Sequence, residues 1–235
     1  MFKIRVAELN ILIHNIYPYC ESFCAAYRTE FDTADIEVAV TEEEILAEKA
    51  ASQSAFPIGY YEAVCVYRHI ARRLPQFGAF VFHASVVECD GKAYAFAAPS
   101  GTGKSTHTKL WLKVFGDRAR VINGDKPIFR LTEKGWYAYG TPWQGKEHWG
   151  TNAAAPLQAL CFLTRAEQNR IAPLSDEEAV GRLFHQVLLP GEAAMTELFL
   201  TLLDDLITKT PVYLLGCNMN DDAATVAFSG MQKEK

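Results

Sequence analysis

The chain has 235 residues, 49% of them hydrophobic and 22% charged, with a net charge of -5. This composition is typical of a globular chain that buries a core without disulfide or metal staples, and its length suits one large domain or a small domain and a larger one. The net negative charge argues against a nucleic-acid binder, because no basic stripe is available to neutralise phosphates. The six cysteines are scattered and indicate reduced thiols in a cytoplasmic protein. No apolar run approaches the ~18 residues of a membrane span, and no signal peptide is recognisable, so we expect no membrane association.

Residues 1–76 predict a small α/β lobe that carries no recognisable active-site chemistry. Apolar residues alternate over Phe2–Val6 and, in the opposite parity, over Leu9–Ile13, which predicts two strands with a break near Glu8. The other elements predicted here are a helix over 18–27, a strand over 35–40, a helix from a capping box at Thr41 to Ala51, and a helix over 60–74 ended by Pro75.

Residues 77–235 predict a larger α/β domain. Its strands are expected over 80–88, 92–98, 120–122, 128–131, 136–139, 157–163 and 212–215. Its helices are expected over 104–115, from a capping box at Ser175 to 189, over 193–209, and over 221–228 with Asn220 as the cap. The C-terminal residues 232–235 are expected to fray.

The stretch with the clearest chemistry is Ala98-Pro99-Ser100-Gly101-Thr102-Gly103-Lys104-Ser105-Thr106. It matches a Walker A phosphate-binding loop, except that Ala98 stands where the strict pattern begins with Gly. It follows a predicted strand and opens a helix, so successive N–H groups and the helix N-terminus would face a phosphate. Lys104 would reach the outer phosphates of a nucleoside triphosphate, Ser105 would ligate Mg²⁺, and Pro99 to Thr106 would line the nucleotide site. The alternative is an ordinary βα turn with an exposed lysine, which this context disfavours.

Asp125 is the second candidate, because it ends a predicted strand soon after the loop. A carboxylate there could hold Mg²⁺ beside Ser105 or accept the proton of an attacking hydroxyl. The alternative is an Asx-turn residue within Asn123-Gly124-Asp125.

The third candidate is the aromatic, Gly-rich loop of residues 140–150. We expect substrate contacts from five of its residues, namely Trp143, Gln144, Lys146, Glu147 and His148. The alternative is an Ω-loop whose tryptophans fill the core.

Outside the loop, His83 lies on the predicted strand 80–88, and a lone histidine on a strand is more often a core residue than a catalyst. Arg165 and Arg170 are more often solvated, although either could clamp a phosphate.

The order of these pieces resembles the HPr kinase/phosphorylase catalytic domain over about Phe80 to Phe228. That family shares its nucleotide fold with ATP-dependent phosphoenolpyruvate carboxykinase, so the resemblance implies a P-loop domain with a mixed sheet. The loop Gly140-Thr141-Pro142-Trp143-Gln144-Gly145-Lys146 is more similar to HPr-kinase-related proteins of uncertain substrate, some of which lie in peptide-modification gene clusters.

The resemblance implies that Lys104 and the backbone of Gly101–Ser105 hold ATP, that Ser105 holds Mg²⁺, and that His83 contacts the active-site phosphate region. Asp125 matches one of two adjacent family aspartates, but Gly124 replaces the other, which is the usual candidate base. This departure leaves three alternatives. Asp125 does the work of both carboxylates, Glu147 substitutes for the missing one, or catalysis is weak. The Gly-rich segment of the phosphorolysis reaction is not recognisable, so we expect no phosphorylase activity. The resemblance leaves self-association open.

The sequence therefore predicts a kinase that transfers the γ-phosphoryl group of ATP to a hydroxyl of a peptide, protein or small molecule. The alternative is a non-catalytic ATP-binding or sensor module that assists a partner enzyme, which the Gly124 departure favours. A carboxykinase acting on a small carboxylic acid ranks last, because the chain is too short and has no basic cluster for a dicarboxylate.

Overall fold

Two β-sheets from different parts of the chain organise the computed structural model, which describes residues 1–232. Residues 233–235, where we expect fraying, lie outside the described residues. The sheets have different orders and are joined through a shared apolar core.

The smaller sheet has three strands in the order β1-β2-β3. Strands β1 (Phe2–Val6) and β2 (Leu9–His14) form an antiparallel hairpin, and β3 (Ile36–Ala39) adds to β2 in parallel. The break expected near Glu8 is the hairpin turn, where both Ala7 and Glu8 have positive φ. The turn reverses the chain, so both parities of apolar residues face the same core.

Three helices accompany the smaller sheet: α1 (Pro18–Phe23), α2 (Glu42–Ala51) and α3 (Ile58–Arg73). The capping box at the start of α2 is confirmed, since Thr41 and Glu44 bond each other's backbone N–H groups. Helix α3 begins two residues earlier than predicted, because Pro57 at the N-cap loses no helical hydrogen bond.

The larger sheet is mixed and has the strand path β4-β8-β9-β10-β6-β5-β7, with β12 beside β10 and β11 beside β12. Its strands are β4 (Ala79–Val81), β5 (Ser85–Cys89), β6 (Lys92–Ala97), β7 (Ala119–Asn123), β8 (Ile128–Thr132), β9 (Gly135–Tyr139), β10 (Ala154–Arg165), β11 (Arg170–Pro173) and β12 (Val212–Cys217). Strand β10 pairs antiparallel with β9 at its start, then parallel with β6 and β12. The carboxyl ends of β6, β10 and β12 therefore meet at one edge.

Four helices cover the two faces of this sheet: α4 (Lys104–Phe115), α5 (Asp176–Phe184), α6 (Ala193–Lys209) and α7 (Asp222–Gly230). Along β6, Ala93, Ala95 and Ala97 pack with α5 and α6, whereas Tyr94 and Phe96 pack with α4 and α7. This alternation buries both faces of the strand that leads into the glycine turn.

Several predicted boundaries are wrong. The strand expected over 80–88 is divided into β4 and β5, which leave His83 between them. Helix α5 ends at Phe184 rather than at 189, and α7 is preceded at its N-cap by Asp221 rather than Asn220. Strand β11 was not predicted, because four mostly exposed residues show no apolar alternation.

None of the helices in residues 1–232 is both long enough and apolar enough to cross a lipid bilayer.

Candidate functional site

A glycine turn joins the end of β6 to the start of α4. Gly101 and Gly103 have φ values of 79° and 124°, which residues with a Cβ rarely adopt. A Cβ at either position would otherwise meet open space, so the backbone itself is accessible. Helices α2 and α5 begin with capping boxes, but α4 has no side-chain cap at Gly103. The first N–H groups of α4 are therefore available to another hydrogen-bond acceptor.

Lys104, the first residue of α4, folds back across this turn. Its ammonium donates a hydrogen bond to the carbonyl oxygen of Ala98 at 2.7 Å. Burial lowers the pKa of Lys104, and Lys126 lowers it further, whereas the charge of Asp125 opposes the shift. The lysine is thus held within the turn, with two ammonium protons left for other acceptors.

Asn123 organises the turn that presents Asp125. Its side-chain oxygen accepts hydrogen bonds from the N–H groups of Asp125 at 2.8 Å and Lys126 at 2.7 Å. Its side-chain nitrogen donates to both oxygens of the buried Thr141. The Asx turn considered for Asp125 belongs to Asn123, so the Asp125 carboxylate has no part in holding the turn.

Asp125 and His83 form a hydrogen-bonded pair. Nε2 of His83 lies 3.0 Å from Oδ1 of Asp125, and the Lys126 ammonium lies 3.7 Å from Oδ2. Burial acts to raise the pKa of Asp125, but the hydrogen bond from His83 and the charges of Lys126, His83 and Lys104 outweigh it. The net shift is downward, so Asp125 is a carboxylate at neutral pH.

A cleft of about 460 Å³ brings these groups together. The lining residues that the sequence predicted are His83, Ser100, Gly101, Gly103, Lys104, Ser105, Thr106, Asp125, Gln144, Lys146 and Glu147. Pro99 and Thr102 lie in the turn but do not line this cleft. Segments far apart in the chain thus surround one volume with an ammonium, a hydroxyl and a carboxylate.

Only some of the substrate contacts predicted in the loop of residues 140–150 line the cleft. Gln144, Lys146 and Glu147 line the cleft, whereas His148 does not. Trp143 is buried in the core of the smaller sheet, where its Nε1–H donates to the carbonyl of Ala63 at 3.0 Å. The structure therefore does not bring Trp143 to the cleft with the other expected substrate contacts. Its indole fills the core, as the Ω-loop alternative proposes, and anchors the loop.

Three basic residues near the site were missed or left open by the sequence. Lys109 lines the cleft one turn after Ser105, a spacing that the sequence does show, and its ammonium lies 5.3 Å from the Trp149 ring centre. Arg165 donates to the carbonyl of Gly101 at 2.7 Å, so it fastens the glycine turn to the end of β10. Lys126 follows Asp125 directly in the sequence. Its ammonium lies 3.7 Å from the Asp125 carboxylate, and its charge helps to lower the pKa of that group.

The profile of the family described as "SynChlorMet cassette protein ScmC" matches residues 60–221, which is more than half of the chain. The chain belongs to the ScmC family. The segment matched to ScmC contains the glycine turn, Asp125, His83 and the whole loop 140–150.

No curated protein matches this ScmC-family chain. Among solved structures, it is similar to the HPr(Ser) kinase/phosphatase from Coxiella burnetii, with a TM-score of 0.36 and 8% sequence identity. That similarity covers 63% of this chain and 91% of the other chain.

Proposed function

We propose that this ScmC-family protein is an ATP- and Mg²⁺-dependent phosphotransferase acting on a hydroxyl of a peptide, a protein or a small molecule. One observation carries the proposal: the uncapped start of α4, Lys104 and the His83–Asp125 pair line the same cleft. Phosphoryl transfer requires positioning and charge stabilisation more than covalent chemistry, and these groups would supply both.

The glycine turn would bind the polyphosphate of ATP. The free N–H groups at the start of α4 would donate to phosphate oxygens, since the helix N-terminus carries partial positive charge. Lys104, steadied by its bond to the Ala98 carbonyl, would direct its remaining protons at the outer phosphates. Arg165 would keep the turn in place through the Gly101 carbonyl.

The oxygen atoms available for Mg²⁺ fit a hard cation. Ser105 supplies a hydroxyl and Asp125 a carboxylate, and both line the cleft. In residues 1–232 no three His, Cys, Asp or Glu side chains form a metal cage, and Mg²⁺ needs none, since it keeps waters and phosphate oxygens as ligands. When bound, Mg²⁺ would neutralise charge between the phosphates.

Asp125 would orient the acceptor hydroxyl for attack on the γ-phosphorus. A new bond forms between the acceptor oxygen and phosphorus, while the bond to the bridging oxygen breaks and ADP leaves with its electron pair. The hydroxyl proton passes to Asp125. A carboxylate of lowered pKa accepts this proton late in the displacement, and His83 fixes its direction through the 3.0 Å contact.

A second candidate is an ATP-binding module that assists a partner enzyme without catalysis. Gly124 favours it, because the neighbouring position offers no second carboxylate as base. Both candidates bind the nucleotide, and they differ only in whether the phosphoryl group is transferred to an acceptor.

The test is to incubate the purified protein with γ-labelled ATP, Mg²⁺ and peptides encoded beside its gene, followed by mass spectrometry. We expect a phosphate on a hydroxyl side chain, and we expect Lys104→Ala to abolish the product. Lys92→Ala, which removes an exposed lysine at the start of β6, is the matched control and should keep it. Binding of ATP without transfer would support the second candidate, and no binding of ATP would overturn both.

A further inference from the structure

A second cavity of about 510 Å³ lies on the other side of the glycine turn. It opens at the carboxyl ends of β10 and β12, where Arg165 and Cys217 are register partners. In open α/β sheets, this edge is where ligands bind. The cavity shares Gly101, Gly103 and Thr106 with the cleft described above, so one ligand can extend across the turn from one volume into the other.

The wall of this cavity is mostly apolar, and two of its polar side chains are held by bonds to the backbone. Arg165 donates to Gly101, and the amide of Asn218 donates to the carbonyl of Glu167 at 2.8 Å. Met219 lies at the cavity with 78% of its surface exposed, which leaves a flexible apolar side chain free to cover a flat ring. The volume is within the range of small-molecule sites.

His107 differs from these two side chains, because one of its ring nitrogens is buried without a partner. It lines the cavity, it is 2% exposed, and its Nδ1 is one of three buried side-chain atoms in residues 1–232 without a hydrogen-bond partner. Its Nε2 accepts a hydrogen bond from Nε1–H of Trp111 at 3.0 Å, so the neutral ring carries its proton on Nδ1. Burial lowers the pKa of His107 to about 4, which keeps the ring neutral at physiological pH. Nδ1–H is thus a buried donor without an acceptor in the protein, an arrangement that costs stability unless a water molecule or a ligand completes it.

We propose that this second cavity binds the adenosine part of the nucleotide and that His107 Nδ1–H donates a hydrogen bond to it. Adenine ring nitrogens and ribose oxygens are acceptors, and the apolar wall with Met219 offers a surface for the purine ring. The inference rests on the proposed function, because the polyphosphate must occupy the adjoining cleft. It adds a recognition element that the phosphate-binding motif does not contain.

Two substitutions of His107 separate the two ring nitrogens. In His107→Gln, the amide lies where Nε2 was, which keeps an acceptor for Trp111 and removes the Nδ1 donor. In His107→Asn, the amide lies where Nδ1 was, which keeps the donor and removes the acceptor for Trp111. We expect His107→Gln to weaken ATP binding about tenfold and to leave tripolyphosphate binding unchanged, both measured by calorimetry with Mg²⁺.

His107→Asn should keep ATP binding within about threefold of the parent protein, although thermal unfolding should show it to be the less stable variant. Stability and affinity would then rank the two variants in opposite order, which a purely structural role of His107 would not produce. Equal loss of ATP binding in both variants would overturn the proposal.

Cys217 provides a second readout on the unaltered protein. It lines the cavity and is partly exposed, whereas the other five cysteines are buried. Burial raises the pKa of Cys217, so labelling with iodoacetamide is best followed at alkaline pH. We expect ATP with Mg²⁺ to slow the labelling of Cys217 at least about fivefold, and tripolyphosphate to leave the rate unchanged.

The outcomes distinguish this inference from the function on which it rests. If ATP and tripolyphosphate bind equally tightly and neither protects Cys217, the cavity is not the adenosine site, while the phosphate cleft stands. If neither compound binds, both proposals are overturned.

Discussion

A Cβ atom placed on Gly124 would lie 2.8 Å from the carbonyl oxygen of Gln144. The carbonyl oxygen of Trp149 would lie at 3.2 Å, so two residues of the loop 140–150 pack closely against the backbone of Gly124. An aspartate cannot occupy position 124 while the loop keeps this path. The loop instead brings Gln144, Lys146 and Glu147 to the cleft.

Gly124→Ala should therefore destabilise the protein. The added methyl group meets backbone atoms that cannot rotate away, and overpacking of this kind costs about 1–3 kcal/mol. Urea unfolding measures the change. Gly181→Ala is the matched control, because its Cβ would meet nothing within 4 Å in helix α5, where alanine should stabilise by about 0.5–1 kcal/mol. Equal effects of the two substitutions would contradict the packing described for Gly124.

The stability contributed by Asp125 should depend on pH. Its folded-state pKa lies below that of the unfolded chain, about 3.9, so the ionised group stabilises the fold above that pH. This contribution disappears as the pH falls through the lowered folded-state pKa. Asp125→Asn should be less stable than the parent protein at pH 6, and the difference should narrow toward pH 3. Asp117→Asn, at an exposed position, is the control, and a constant difference for Asp125→Asn would refute the shift.

Trp143→Phe should loosen the loop at the cleft. The substitution keeps an aromatic ring near Tyr67 and Phe23 but removes the 3.0 Å hydrogen bond to Ala63, at a cost of about 1 kcal/mol. We expect a lower free energy of unfolding and weaker ATP binding together.

Trp136→Phe is the control for Trp143→Phe. It also removes an Nε1–H bond, here to the carboxylate of Asp205 at 2.9 Å, and its ring packs in a different core cluster from that of Trp143. Trp136→Phe should lower the free energy of unfolding without weakening ATP binding. If both substitutions weakened ATP binding to the same degree, the anchoring role of Trp143 would be wrong.

Arg165→Ala should raise the dissociation constant of ATP about three- to tenfold, with little change in unfolding free energy. The guanidinium is exposed, so its bond to the Gly101 carbonyl orders the turn more than it stabilises the fold. Arg170→Ala, on the exposed strand β11, should leave binding unchanged. A titration of each variant with ATP and Mg²⁺ measures the difference, and unaltered affinity in Arg165→Ala would show that the turn needs no such support.

The sequence located most elements but misplaced their ends. The helix from Lys104 and the capping boxes at Thr41 and Ser175 depend on residues within a few positions of one another, so local chemistry decides them. The division of 80–88 into β4 and β5 depends on pairing with different partners, β8 and β6, which lie elsewhere in the chain. Apolar periodicity alone contains no information about that choice.

For the candidate site, the sequence by itself located the glycine turn, Lys104 and Ser105, because a contiguous motif carries its own geometry. It singled out Asp125 by another signal, the end of a strand soon after the motif. Only the tertiary structure decided that His83 pairs with Asp125, that Arg165 holds Gly101, that Trp143 is core rather than cleft, and that His107 has an unpaired donor. Each of these facts is a contact or an absent contact between side chains on different elements. Such contacts are fixed by how the elements pack, and packing is a property of the whole chain.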